Sequence, residues 1–155
     1  ATASSEPKLQ IVRDLGANVA INYRELDAAA IVATHTNGAG YDLVFDSVGG
    51  DNVVRCFDAA ASNGTVVSIN TRCTADLAPM HQKALSLHVV FMLIPLASGK
   101  GRARHGEILR ELTVLVEAGH VRPLLHEQRF TIPEVGAAHA LLQTGGATGK
   151  IVLTW

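Results

Sequence analysis

An α/β fold, a doubly wound parallel sheet missing its first strand, is what this sequence predicts. Three observations carry the expectation. Short runs rich in Val and Ile alternate with longer amphipathic stretches, the order that gives parallel strands joined by right-handed crossover helices. Several of the runs are apolar on both faces, as in strands buried between two helical layers. No GxGxxG turn occurs anywhere, so the sheet is expected to lack both its first strand and the glycine-rich turn after it.

The elements follow in order. Ala1–Ser5 reads as the end of a strand. Ser5 is the expected N-cap of the first helix, with Pro7 in its first turn, Leu9, Val12 and Leu15 on one face and Gly16 as its stop. Val19–Asn22 and Tyr41–Asp46 are the next strands, and Gly49-Gly50 turns into a helix near Asp51. Thr65–Ile69 and Leu87–Ile94 are further strands, the second closed by Pro95. A composition break spans Ser98 to His105, with Gly99, Lys100, Gly101, Arg102 and Arg104, and marks a boundary between residues 1–98 and 99–155. A helix begins near Arg104, with Ile108, Leu109, Leu112, Leu115 and Val116 on its apolar stripe and Gly119 after it. Pro133 opens another that carries Val135, Ala138 and Leu142 and stops at Gly145-Gly146, and Lys150–Thr154 is the last strand.

Composition bounds the function. Of 155 residues, 48% are hydrophobic and 17% charged, with a net charge of −1, which argues against disorder and against a nucleic-acid or membrane-surface partner. The apolar run Val89–Ile94 is far shorter than the roughly 20 residues that span a bilayer. The start Ala1–Glu6 carries neither the basic nor the apolar region of a secretory signal. Two cysteines, Cys56 and Cys73, form no CxxC pair, so a reducing, cytoplasmic compartment is expected. The seven histidines show no i, i+4 pair and no accompanying Cys or Asp/Glu cluster, so no metal site is expected.

Ligands of such sheets bind beyond the carboxyl ends of the strands. Ser4, Ser5 and Lys8 lie where the first strand meets its helix. Hydroxyls, a helix N-terminus and a cation there form an anion-accepting corner, which favours the 2′-phosphate of NADP over the free 2′-hydroxyl of NAD. Glu6 complicates this corner if its carboxylate turns inward. Tyr23, ending the neighbouring strand, is placed to close an adenosine pocket. Asp46 is expected to cap backbone N–H groups of the loop that follows it, and no residue can be assigned as proton donor.

The segments ATASSEPKLQIVRDLGANVAINYRELD, GAGYDLVFDSVGGD, SNGTVVSIN and LLQTGGATGKIVLTW, in that order, resemble the medium-chain dehydrogenase/reductase superfamily, especially its zinc-independent quinone oxidoreductase-like branch. The resemblance covers essentially the whole chain as the C-terminal portion of such an enzyme. It implies a Rossmann-like dinucleotide-binding part over 1–98, and a helix and strands returning to the substrate domain over 99–155. It implies NADPH as cofactor, with Ser4, Lys8 and Tyr23 at the 2′-phosphate. Ser47, Val48 and Gly49 would form one wall of the nicotinamide site and Ile69, Asn70 and Thr71 another, with contacts from Phe91 and Leu93 and with Lys150 at the pyrophosphate. The chemistry implied is hydride transfer to a small-molecule quinone, enone or other carbonyl, in a homodimer paired through Leu87–Ile94. A zinc-dependent alcohol dehydrogenase, a non-catalytic NADPH-binding relative and an S-adenosylmethionine-binding methyltransferase remain alternatives.

Overall fold

The computed structural model describes residues 1–155, which form two compact units, Ala1–Lys100 and Gly101–Trp155. Every strand pairing is parallel, as the alternation of strands and helices predicts. No helix is long and apolar enough to cross a membrane.

The first unit holds two sheets. β1 (Thr2–Ala3) pairs with β2 (Ile21–Asn22) across helix α1 (Glu6–Asp14). Helix α2 (Ala28–Thr36) then leads to β3 (Tyr41–Asp46), and helix α3 (Asn52–Ala59) to β4 (Ala60–Ser68). Helix α4 (Ala78–Gln82) precedes β5 (Ser86–Val89), and the order is β3-β4-β5. The sheet is divided, as expected of one that lacks its first strand: no strand of this chain joins β1 to β3.

The core of this unit gathers on one side of α3. Val53, Cys56 and Phe57, at i, i+3 and i+4, form one buried face. They pack with Ala60 and Val66 of β4 and with Leu85, and Val44, Cys73, Met80 and Leu87 close the cluster. Phe57 is wholly buried, which contributes about 1.5–3 kcal/mol. The carboxyl end of α3 is held from outside by Lys83, whose Nζ donates to the carbonyls of Phe57, Asp58 and Ala60 at 3.0, 2.7 and 3.0 Å. These are carbonyls that a helix leaves without intrahelical partners.

Several expectations need correction. Runs apolar on both faces were expected to lie between helical layers, yet on β3 Leu43 and Phe45 are each 63% exposed, because α3 is the one helix packed closely on β3 and leaves the face that these two side chains share uncovered. Leu15 is also exposed, leaving Leu9 as the buried residue of α1. The strand expected over Leu87–Ile94 ends at Val89, where its ladder with β4 runs out at Ser68↔Val89. A last bond from Val90 N–H to the Ser68 carbonyl follows at 2.9 Å. The chain then turns into helix α5 (Leu93–Ser98), whose first turn accommodates Pro95.

In the second unit, α6 (Arg102–Glu117) precedes β6 (Phe130–Thr131), a 3-10 turn over Ile132–Glu134, α7 (Val135–Gln143) and β7 (Leu153–Thr154). The expected strand Lys150–Thr154 is reduced to β7, which pairs with β6, and a lone bridge from Leu125 to Lys150. Phe130 and Ala138 are buried here. The apolar stripe of α6 was expected to be a packed face, but none of its residues is buried, because no element of this unit packs closely against it.

Candidate functional site

Two groups of residues meet at carboxyl ends of strands in the first unit. The first is built by β1, β2 and α1. Parallel pairing sets Ala3 opposite Asn22, and Tyr23 N–H donates to the Ala3 carbonyl at 3.2 Å, so Ser4 and Ser5 leave the sheet at the same end as Tyr23. Ser5 occupies the N-cap in extended conformation, but its hydroxyl makes no capping bond. The Glu6 and Lys8 N–H groups lie in the first turn of α1, where intrahelical partners are lacking, and Pro7 has no N–H. Ser4, Ser5 and Lys8 are half-buried and Tyr23 is half-exposed. The Glu6 carboxylate accepts from Arg13 Nη1 at 2.7 Å, and so is engaged two turns along the helix. The complication expected of Glu6 is answered by that pairing.

The second group is organised by Asp46, the last residue of β3 and 1% exposed. Its Oδ1 accepts from Val48 N–H and Gly49 N–H, both at 3.0 Å, and from the Asn52 side-chain amide at 2.8 Å. Its Oδ2 accepts from the Ser68 hydroxyl at 2.8 Å, at the end of β4. Ser68 Oγ in turn accepts from Asn70 N–H at 3.2 Å, and Gly50 N–H donates to the Asn70 carbonyl at 3.3 Å. The expected capping role of Asp46 is what the structure shows. Burial pushes its carboxyl upward, but the hydrogen bonds from Gly49, Asn52, Ser68 and Val48 outweigh burial and hold it below its ordinary value. Gly49 sits at φ +79°, and a Cβ there would overlap the carbonyl oxygen and Cβ of Asn70, so only glycine lets the two loops approach this closely.

The structure thus brings Gly49 and Asn70 together, with Ser47, Val48, Ile69 and Thr71 on the same two loops. Val48 and Ile69 expose apolar side chains there, at 71% and 47%. Phe91 lies beyond the end of β5, and Leu93, expected on a strand, is the first residue of α5. Lys150 belongs to the second unit, where its N–H donates to the Leu124 carbonyl and its own carbonyl accepts from His126 N–H, at 2.8 and 2.9 Å. Sequence reasoning marked Ser68 as a strand end but gave neither it nor Asn52 a role. A serine closing the strand next to one that ends in aspartate was the available signal.

A family profile described as zinc-binding dehydrogenase matches residues 15–153. A probable quinone oxidoreductase of Schizosaccharomyces pombe is 31% identical over 99% of this chain and 46% of its own length. Among solved structures, an alcohol dehydrogenase superfamily protein from Novosphingobium aromaticivorans superposes with a TM-score of 0.92 at 38% identity, over all of this chain and 47% of that one. The Escherichia coli quinone oxidoreductase complexed with NADPH superposes at 0.83 and 26% identity, over 99% of this chain and 48% of that one. The chain spans about half the length of each. The profile's description names zinc, but this chain has no group of three or more His, Cys, Asp or Glu side chains that could hold a metal ion. Its residues do not fit a zinc site.

Proposed function

The chain belongs to the zinc-binding dehydrogenase family, within the medium-chain dehydrogenase/reductase superfamily of NAD(P)-binding oxidoreductases, and from that premise we propose that it forms the cofactor-holding part of an NADPH-dependent reductase of the quinone oxidoreductase type. One observation carries this reading. Ser4, Ser5 and Lys8 gather at the amino end of α1 beside Tyr23, while the nearby Glu6 carboxylate is paired with Arg13. An unpaired cation, unengaged hydroxyls and a helix N-terminus suit a phosphate.

In this reading the 2′-phosphate lies against Ser4, Ser5, Lys8 and Tyr23. The nicotinamide half lies against Ser47, Val48 and Gly49 on one loop and Ile69, Asn70 and Thr71 on the other, with Phe91 and Leu93 beyond the end of β5. NADPH, when bound, supplies a hydride from nicotinamide C4 to an electron-poor carbon of a quinone, enone or other carbonyl. The protein's part is to hold the ring in one place and exclude water. We assign residues 1–98 to the dinucleotide-binding domain and 99–155 to the segment that returns to the substrate domain. The free cysteines favour a cytoplasmic setting, and the exposed apolar stretch around β5 favours a homodimer.

The natural protein that carries this chain should oxidise NADPH when given a quinone or an enone, and should prefer NADPH to NADH. Equal use of the two cofactors, or binding of NADPH with no turnover of any quinone, enone or aldehyde, would refute the reading.

A further inference from the structure

We propose that Asp46 and Ser68 are positioning residues for the nicotinamide half of the cofactor, holding the backbones of 47–49 and 69–71 in one fixed arrangement. The inference rests on the cofactor reading above. Asp46 and Ser68 are 1% and 0% exposed, and no cation pairs with the carboxylate among the ion pairs of the chain. A buried, unpaired carboxylate is costly, and apolar residues of similar size would fill the space more cheaply. What the carboxylate supplies instead is direction. It draws the N–H groups of Val48 and Gly49 inward, and Ser68 Oγ does the same for Asn70 N–H.

Across a trans peptide the C=O points opposite to the N–H. The carbonyls of Ser47, Val48 and Ile69 are therefore turned away from the buried pair. None of the three accepts a hydrogen bond within the chain, which leaves them open to an amide donor of a ligand. The Asp46–Ser68 bond at 2.8 Å ties the two loops to each other. Gly49 against Asn70 sets how closely they approach. Asn52 adds a donor from α3, so the carboxylate is fixed from three elements at once.

The test uses Ser68→Ala in the natural protein, with 2′,5′-ADP as a probe that reaches only the adenosine half. Hydrogen exchange at the Asn70 amide should quicken by about tenfold, the loss of roughly one hydrogen bond. Turnover should fall by about tenfold to a hundredfold, as for a misplaced reacting group, while affinity for 2′,5′-ADP stays within about twofold, well under the tenfold that 1.4 kcal/mol would bring. Unchanged turnover in the folded variant, or loss of 2′,5′-ADP binding in step with turnover, overturns the positioning role. If Ser68→Ala does not fold, Asn52→Ala removes a donor to the same carboxylate from a less buried side and must show the same split between turnover and binding. A wild type that binds no 2′,5′-ADP overturns the cofactor reading itself. A wild type that binds it, with a variant that turns over normally, overturns only the positioning role.

Discussion

The guanidinium of Arg13 meets the Glu6 carboxylate at 2.7 Å, spanning two turns of α1. Both side chains are well exposed, so the pair adds little to stability. Its effect is local. The carboxylate nearest the amino end of the helix has its own cation, and Lys8 is left without an ion-pair partner.

Replacing Lys8 with alanine should weaken NADPH selectively. A charge-assisted hydrogen bond is worth about 1.5–3 kcal/mol, so the loss should be about tenfold to a hundredfold, with NADH nearly unaffected. Titration calorimetry of both cofactors against the natural protein checks this. Equal losses would remove Lys8 from the phosphate site.

Asp46 makes stability depend on pH in a defined sense. Its folded value lies below the ordinary 3.8, so ionisation favours the folded state. That contribution is present above 3.8 and is lost as pH falls through the folded value. Asp46→Asn should cost about 1–3 kcal/mol at neutral pH, because buried donors lose an acceptor. It should also flatten the fall in urea midpoint as pH drops below 3.8. A variant with the same acid dependence as the wild type would contradict the assignment.

The two cysteines should differ in reactivity. Burial, then the nearby Asp46 charge, pushes the Cys56 thiol up to about 11, whereas Cys73 is only half-buried. The thiolate is the reactive form. Iodoacetamide at pH 8 should therefore alkylate Cys73 in the folded protein and reach Cys56 only after denaturation. Peptide mass mapping decides it.

Val90→Lys should shift the natural protein from dimer toward monomer. β5 pairs only with β4, and Val89, Val90, Phe91 and Met92 beside it are all exposed. An apolar edge of this kind invites pairing with another chain, and like charges brought together at a two-fold contact oppose it. Light scattering that finds a monomeric wild type would end the proposal.

What the sequence made legible follows from how local each signal was. Tyr41–Asp46 was read with its true limits because Gly40 precedes an alternation of apolar residues and a Gly-Gly turn follows. The two loops were found for the same reason, being strand ends marked by Asp46 and by Ser68-Ile69-Asn70. The strand expected over Leu87–Ile94 failed from Val90 onward because such an apolar run suits strand or helix alike. Its limit was set by the last partner on β4, and a register between distant segments leaves no local trace. Helix α2 was missed because Ala28–Val32 shows no amphipathic stripe, although Asp27, which accepts from Ala30 N–H at 2.8 Å, and the Asn37-Gly38 stop both marked it. The triple contact of Lys83 joins positions more than twenty residues apart, beyond the reach of any short motif.

That lysine has an electrical consequence. Helix α3 carries an anion at its amino end, where Asn52 binds Asp46, and a cation at its carboxyl end, where Lys83 covers three carbonyls. Both charges agree with the helix dipole. Its eight residues span about 12 Å at 1.5 Å each. Acylation of Lys83 would remove that cation and leave the carbonyls of Phe57, Asp58 and Ala60 without their shared donor, so the charge match would survive only at the amino end.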